Sequence, residues 1–148
     1  MIRVQREPFD AGAEIAALTE GRDDVGAVVS FQGVVRKGDG EDAITAMTLE
    51  HYPGMTEAEL ARIEREAHAR FALQASLVIH RYGRMLPGEA IVLVVTTSRH
   101  RRAAFDACSF LMDWLKTQAP FWKLEETPAG ERWVQAKAGD DAAASRWS

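Results

Sequence analysis

Apolar residues recur along the chain at two spacings, one typical of strands and the other typical of helices. Segments 25–36 and 90–97 are rich in β-branched residues and carry apolar side chains at both odd and even positions. This pattern is typical of strands that are covered on both faces. It predicts a central strand at 90–97 and, at 25–36, a strand that is covered for much of its length. Gly33 interrupts the second segment and predicts a bulge or a close backbone approach.

Further strands are predicted at 2–5, 44–51, 76–82 and 132–137. A turn that contains Pro87 and Gly88 joins the third of these strands to the central one, which predicts an antiparallel hairpin. The glycine-rich loop 37–42 favours a second hairpin, in which the chain returns along 44–51. The alternative, an anion-binding loop beside Arg36, has no support from a Walker pattern.

Three other segments have the 3.6-residue spacing of amphipathic helices. The first follows Asp10, a residue type that favours the N-cap position, and the third begins near Ser98. The apolar stripes consist of Ile15 and Leu18 in the first helix, of Leu60, Ile63, Ala67 and Phe71 in the second, and of Ala104, Ala107, Cys108, Leu111 and Leu115 in the third. Because Cys108 falls on the core side of its helix, we expect it to pack as a small hydrophobe and not to act as a nucleophile.

Composition narrows the class of protein. The chain has 148 residues, of which 47% are hydrophobic and 27% charged, values that suit one globular domain over residues 1–148 with a flexible polar tail from about 139. The net charge of -4 argues against bulk attraction to nucleic acid or to anionic membranes. One cysteine excludes an internal disulfide. Because the sequence has neither a signal-peptide pattern nor an apolar run of ~20 residues, we expect a cytoplasmic protein.

A rigid corner follows the third helix and carries two lysines. Helices usually end before a proline, so Pro120 places Lys116 in the last helical turn, where the helix dipole also favours a cation. Phe121 and Trp122 anchor the following segment in apolar contacts and thereby orient Lys123. Two lysines held on such a corner can form a cationic pocket for an anion. The alternative is that both are ordinary surface lysines.

The first turn of the third helix is unusually basic. It reads Arg99-His100-Arg101-Arg102, although free backbone N–H groups and the helix dipole favour acidic residues at a helix N-terminus. A bound phosphate or carboxylate would relieve this conflict, because it would meet backbone N–H groups and guanidinium groups together. Ion pairs with acidic side chains elsewhere in the fold are the alternative.

Seven motifs, which together span nearly the whole chain, occur in the order typical of one enzyme family. They lie at 26–36, 49–55, 79–83, 87–89, 98–101, 115–123 and 132–134. The most specific are Leu-Glu-His-Tyr-Pro-Gly-Met at 49–55 and Lys-Thr-Gln-Ala-Pro-Phe-Trp-Lys at 116–123. Together these motifs resemble the large, catalytic subunit of molybdopterin synthase.

The resemblance implies an α+β fold with antiparallel sheets and about three helices, often described as a hammerhead. It implies a homodimer within a heterotetramer, with a small ubiquitin-like sulfur-carrier subunit at each end. The carrier's Gly-Gly C-terminus, charged as a thiocarboxylate, enters a pocket of the large subunit. Two sulfurs pass in succession to cyclic pyranopterin monophosphate (precursor Z), which forms the dithiolene of molybdopterin in molybdenum cofactor biosynthesis. The resemblance implies no metal and no other cofactor for this step.

The resemblance also implies roles for particular residues. Lys116 and Lys123 match the family's two active-site lysines, which are expected to be catalytic and to bind substrate. His100 and Arg101 match a substrate-binding His-Arg pair. The other expected substrate contacts are Val34, Val35, Arg36, Leu124 and Glu125.

Two functions of other classes stay open. The chain can be a non-catalytic module that binds the tail of a ubiquitin-like protein. It can also be a nucleic-acid binder that uses residues 99–102 and the tryptophans, although the acidic net charge and the short basic patch argue against this. Product formation from a pterin substrate distinguishes the enzyme from both.

Overall fold

The computed structural model describes residues 1–134 and 138–147, which form two four-stranded sheets and their helices. The strands are β1 (Ile2–Gln5), β2 (Ala27–Val34), β3 (Ala46–His51), β4 (Ala75–Arg81), β5 (Gly83–Met85), β6 (Ala90–Ser98), β7 (Phe121–Thr127) and β8 (Gly130–Val134). The α-helices are α1 (Ala11–Thr19), α2 (Met55–Arg70), α3 (Arg101–Gln118) and α4 (Ala138–Ser145), and a 3-10 helix spans Gly40–Asp42. The strand orders are β1-β4-β6-β2 and β5-β3-β7-β8. Among the described strands, β1 and β4 form the one parallel pair. The predicted α+β fold with antiparallel sheets is confirmed, and α4 is the helix that the sequence pattern did not predict.

The first sheet is covered by helices on both faces. On one face, α2 and α3 contribute Leu60, Phe110 and Leu111, which are at most 1% exposed. On the other face, Ile15 and Leu18 of α1 pack against the sheet. Strand β6 lies between β4 and β2 and is buried over most of its length, which confirms the prediction of a central strand.

Strand β2 differs from the prediction of a strand covered for much of its length. It lies at the edge of the first sheet, and Val28, Phe31 and Val34 are 40%, 40% and 48% exposed. An edge strand has a neighbour on one side only, so apolar residues on both of its faces stay accessible in a single chain. The bulge predicted at Gly33 is confirmed, because the register with β6 shifts between Gly33 and Val34.

The predicted hairpin between β2 and β3 is wrong. The two strands belong to different sheets, and the segment between them carries the chain from one sheet to the other. The backbone N–H of Val35 donates to the carbonyl oxygen of Glu89 over 2.9 Å, which holds the end of β2 beside the first sheet. Ile44 and Met47 are buried in a separate core that belongs to the second sheet. The partners of β3 are β5 and β7, and a local turn pattern carries no information about such distant pairings.

Helix α3 begins later and ends where predicted. Its N-cap is His100 and not Ser98. Ser98 is the last residue of β6. Its hydroxyl donates to the carbonyl oxygen of Ala72 over 2.7 Å and accepts from the backbone N–H of His100 over 3.3 Å, so it contacts the residue before the helix and not the first turn. The helix ends at Gln118, before the proline, with Lys116 in its last turn.

Helix α4 and the residues after it pack on α3. The ring of Trp147 meets that of Phe110 edge-on, with centroids 5.7 Å apart, and its indole N–H donates to Asp113 Oδ2 over 2.6 Å. The guanidinium of Arg146 donates to the same carboxylate oxygen over 2.8 Å. The predicted last strand corresponds to β8, while its remaining positions, 135–137, lie outside the described residues. Flexibility of the tail stays a prediction.

Candidate active site

A cavity of about 390 Å³ lies where the C-terminal end of α3 meets both sheets. Charged side chains from three regions of the sequence line it, namely Arg36, Lys116, Lys123 and Glu125. Its walls are otherwise largely apolar, with Phe31 and Met112 among them. The cavity therefore combines a cationic lining with enough apolar surface to hold a flat organic molecule.

The two lysines reach this cavity from consecutive elements. Lys116 is an exposed residue in the last turn of α3, and the preceding Leu115, 7% exposed, anchors that turn in the core. Lys123 is partly buried on β7, opposite Leu49 of β3 and Val134 of β8. The chain turns tightly at Pro120, where the backbone N–H of Phe121 donates to the carbonyl oxygen of Ala119 over 2.9 Å, and lysines from a helix and a strand line the same space.

The end of β2 adds a third cation. Val34, Val35 and Arg36 all line the cavity, and their contact with substrate stays a prediction. Val35 is 3% exposed and packs in the core of the second sheet, whereas the side chain of Arg36 is exposed. The buried valine thus holds the backbone beside Arg36 in place.

His80 enters the cavity from β4. Its ring stacks on that of Phe121, with centroids 3.8 Å apart and an angle of 16° between the planes. Its Nδ1 lies 2.9 Å from the carbonyl oxygen of Arg81. Burial away from water lowers the pKa of His80 to about 4, and the positive charges of Lys116 and Lys123 act in the same direction. His80 is therefore a neutral imidazole among cations.

Glu125 lines this cavity and also a neighbouring one of about 410 Å³. Arg132 donates to its Oε1 through Nε over 3.1 Å and through Nη2 over 2.9 Å. The same guanidinium donates through Nη1 to Asp42 Oδ1 over 3.1 Å. Arg132 thus connects β8 to β7 and to the 3-10 helix, and it engages the carboxylate of Glu125.

Three predicted site residues lie away from the cavity lining. Leu124 alternates with its neighbours on β7 and pairs with Thr48 and Trp133 in the strand register. His100 and Arg101 are exposed at the opposite end of α3 from Lys116. At a rise of ~1.5 Å per residue, the backbones of Arg101 and Lys116 are about 22 Å apart along the helix axis. One copy of the chain therefore does not bring all the predicted residues together.

The basic first turn of α3 keeps its charges facing solvent. In the parts of the chain that the structure describes, no ion pair involves Arg101 or Arg102. The alternative that acidic side chains within the same chain neutralise these two arginines therefore has no support among the described contacts.

Several cavity residues were not predicted as site residues. Met112 precedes Lys116 by four positions, so helical spacing alone would have placed both on one face of α3. His80 lies within strand β4, and its sequence context does not indicate a site. Its neighbour Phe121 is distant in sequence, and no local pattern indicates that β4 and β7 approach each other here.

Two other structural features bear on function. Within the described residues, no group of three or more His, Cys, Asp or Glu side chains is placed to hold a metal ion. Among the described helices, none has the length and apolar character needed to cross a membrane.

Comparison with known sequences identifies the family. The model of the MoaE protein family matches residues 4–118. The chain belongs to this family. The molybdopterin synthase catalytic subunit of Mesorhizobium japonicum is 58% identical over 148 residues, covering 99% of this chain and 92% of that protein. That of Escherichia coli K12 is 53% identical over 146 residues, covering 99% of this chain and 97% of that protein.

Solved structures agree with the family assignment. The MoaE protein of Burkholderia ambifaria has a TM-score of 0.84 at 50% identity, covering 99% of this chain and 97% of that one. The molybdopterin synthase of Staphylococcus aureus has a TM-score of 0.81 at 27% identity, covering 90% of this chain and 96% of that one. A complex of subunits 1 and 2 of the molybdopterin-converting factor from Helicobacter pylori shares the fold, with a TM-score of 0.76 at 20% identity. The predicted family is confirmed, and so is the prediction of an enzyme, since the likeness to catalytic subunits covers nearly the whole chain.

Proposed function

We propose that this protein transfers sulfur from the C-terminal thiocarboxylate of a small ubiquitin-like carrier subunit to cyclic pyranopterin monophosphate. The reaction forms the dithiolene of molybdopterin and takes place in the cytoplasm. The observation that carries the proposal is the gathering of Arg36, Lys116 and Lys123 around one cavity of about 390 Å³. This volume lies within the range of ~300–1,000 Å³ typical of small-molecule sites.

The charges of the cavity match those of both reactants. The substrate carries a cyclic phosphate, and the carrier tail ends in an anionic thiocarboxylate. Arg36 offers a planar fork of N–H donors that suits a phosphate, and each lysine offers a compact cation. Apolar walls, Phe31 and Met112 among them, provide a surface for the pterin rings.

The attacking sulfur belongs to the carrier, so the large subunit needs no nucleophile of its own. The position of Cys108 is consistent with this, because its side chain is only 5% exposed, lies on the core side of α3 and is therefore not available as a nucleophile. The carrier's sulfur forms a bond to a substrate carbon and displaces an oxygen substituent from it. Water then adds to the carrier's acyl carbon to give a tetrahedral oxyanion, and cleavage of the acyl C–S bond leaves the sulfur on the substrate and a free carboxylate on the carrier. Lys116 lies nearest these reacting groups, where it acts as a general acid/base or stabilises the oxyanion. Lys123 orients the substrate and supports the same charge.

A small carrier subunit is the proposed partner. The Helicobacter pylori structure shows subunits 1 and 2 of a molybdopterin-converting factor in one complex. We extend that arrangement to this chain, with the Gly-Gly tail of the carrier entering the cavity beside Lys116.

A homodimer within a heterotetramer completes the proposed site. His100 and Arg101 lie about 22 Å from Lys116 along α3 in one chain, too far for one pterin to reach both ends. A second copy, related by a two-fold axis, can present its own His100 and Arg101 to the first copy's cavity. The exposed apolar residues of the edge strand β2, Val28 and Phe31, supply surface for such a contact.

A single-turnover assay tests the proposed function. Purified protein is mixed with thiocarboxylated carrier and precursor Z, and molybdopterin is measured. We expect product from the wild type. In Lys116→Ala the rate should fall by a factor on the order of 10²–10³, which is the typical effect of removing one hydrogen-bond donor to an oxyanion. Arg65→Ala, which removes an exposed cation of α2 outside the cavity, is the matched control and should keep the full rate.

Two results would contradict the proposal. Carrier binding without product from the wild type would favour a non-catalytic module that binds the carrier's tail. Near-normal turnover by Lys116→Ala would show that Lys116 has no essential role in the reaction.

A further inference from the structure

His80 is held in one orientation by two contacts. Its ring stacks on Phe121, which fixes the plane of the imidazole, and its Nδ1 bonds the carbonyl oxygen of Arg81, which fixes the rotation within that plane. The register places His80 opposite Val92 of β6 and beside Val4 of β1. Because successive side chains alternate across a strand, His80 shares the sheet face of Val78, the face that α3 covers.

The hydrogen bond at Nδ1 determines the tautomer. A carbonyl oxygen only accepts hydrogen bonds, so Nδ1 carries the proton and donates to Arg81 over 2.9 Å. In a neutral imidazole the other nitrogen, Nε2, then carries a lone pair and is an acceptor. The imidazole is neutral because its surroundings lower its pKa. The main cause is burial away from water, and smaller effects in the same direction come from Lys116 on α3, Lys123 on β7 and His51 on β3.

The charged side chains that line the cavity do not provide a neutral hydrogen-bond acceptor, whereas Nε2 of His80 does. Arg36, Lys116 and Lys123 are donors when charged. The carboxylate of Glu125 accepts two hydrogen bonds from Arg132. A pterin ring system carries N–H groups, and each N–H that loses water without finding an acceptor weakens binding. An uncharged acceptor meets this need without reducing the positive potential that holds a phosphate.

We propose that His80 is a substrate-binding residue of this cavity, whose Nε2 accepts a hydrogen bond from an N–H group of the bound pterin. The inference rests on the proposed function, because it takes the pterin as the ligand. His80 thus recognises the pterin ring through a hydrogen bond, while the lysines and Arg36 bind the anionic groups.

Two substitutions test the acceptor nitrogen of His80 and its aromatic ring separately. His80→Phe keeps an aromatic ring against Phe121 and removes the acceptor. His80→Gln places an amide oxygen near the position of Nε2 and removes the ring. His68→Gln, on an exposed position of α2 outside the cavity, is the control. If His80→Phe fails to fold, His80→Met replaces it, because a thioether fills the volume and is only a weak acceptor.

Two measurements are made on each variant in the complex with its carrier. The first is KM and kcat for the pterin substrate over a range of pH. The second is equilibrium binding of precursor Z in the absence of thiocarboxylate, followed by the change in tryptophan fluorescence. We expect His80→Phe to raise KM and the dissociation constant roughly 5- to 100-fold, as for a buried donor left unpaired, with little change in kcat or in the pH profile. His80→Gln should recover part of the loss, and His68→Gln should match the wild type.

The outcomes distinguish this inference from the proposed function. If the wild type makes no product but binds precursor Z, and His80→Phe weakens that binding, the role of His80 stands while sulfur transfer fails. Unchanged binding in His80→Phe overturns the role of His80 whether or not product forms. A shifted pH profile with unchanged KM overturns it as well, because His80 would then act through a lysine. If the wild type neither binds precursor Z nor makes product, both proposals fail.

Discussion

Arg101 and Lys116 lie at opposite ends of the same helix, α3, about 22 Å apart along its axis. Both are predicted to contact substrate, yet only Lys116 lines the cavity of its own chain. A rigid helix cannot fold back to join its ends. In a symmetric dimer, however, this separation allows Lys116 to line the cavity of its own chain while Arg101 reaches the cavity of the other copy.

A mixing experiment tests whether sites are shared between copies. Lys116→Ala and Arg101→Ala should each lose most activity alone. After the two variants are unfolded and refolded together, about a quarter of the wild-type sites should return, because half of the dimers are mixed and each mixed dimer holds one intact site. The matched control pairs Lys116→Ala with the double variant Lys116→Ala/Arg101→Ala, which restores no site. Absence of recovery in the first mixture would show that both residues act within one chain, whereas full activity of Arg101→Ala on its own would show that Arg101 has no role.

Cys108 should resist alkylation in the folded protein. It is 5% exposed, and burial raises the pKa of its thiol to about 11, so the reactive thiolate is scarce at pH 8. We expect little labelling by iodoacetamide at pH 8 before unfolding and full labelling in guanidinium chloride, measured by mass spectrometry. Cys108→Ala should keep its sulfur-transfer rate. Rapid labelling of the native protein, with loss of activity, would contradict the packing role.

His80 should make the fold less stable in acid. Its pKa falls from 6.5 to about 4 on folding, so between these values the unfolded chain binds a proton that the folded chain does not. Stability therefore decreases as the pH drops from 6.5 toward 4, by up to about 3 kcal/mol from this group. His80→Phe removes the contribution. The free energy of unfolding, measured by urea titration at several pH values, should fall less steeply in His80→Phe than in the wild type, and equal slopes would refute the assignment.

Asp113 should hold the C-terminal segment on α3. Its Oδ2 accepts hydrogen bonds from Trp147 over 2.6 Å and from Arg146 over 2.8 Å. Asp113→Ala leaves both donors without this partner, and we expect a loss of about 1–3 kcal/mol in the free energy of unfolding. Hydrogen exchange in residues 138–147 should accelerate. Asp106→Ala, on the same helix, should not accelerate exchange there, and a similar effect of the two variants would argue against a specific contact.

Local patterns predicted the elements well. Apolar residues at both odd and even positions of 90–97 marked the central strand, and the stripes through Leu60 and Leu111 marked the buried faces of two helices. Gly33 marked a bulge. Pro120 marked the end of α3 and so placed Lys116 in its last turn. Each of these features depends on neighbours within a few residues, because backbone geometry sets helical and strand periods locally.

Pairing between distant segments decided the features that the sequence did not reveal. Strand β2 has an apolar pattern on both faces like that of β6, yet it lies at a sheet edge because no second strand of the chain pairs with it in the first sheet as described. Loop 37–42 has the composition of a hairpin and instead connects two sheets, since β3 pairs with β5 and β7. Burial and edge position follow from the whole fold, and hydrophobic pattern alone does not distinguish them.

The sequence by itself determined the family, the α+β class and the cationic residues Arg36, Lys116 and Lys123, because these follow from residue identity and short-range spacing. Only the tertiary structure decided that these three line one cavity while His100 and Arg101 stand apart, and that His80 joins the cavity as a neutral acceptor. Distances across the fold and the cost of desolvating a charge depend on which segments meet in space. Neither quantity is a property of any stretch of sequence taken alone.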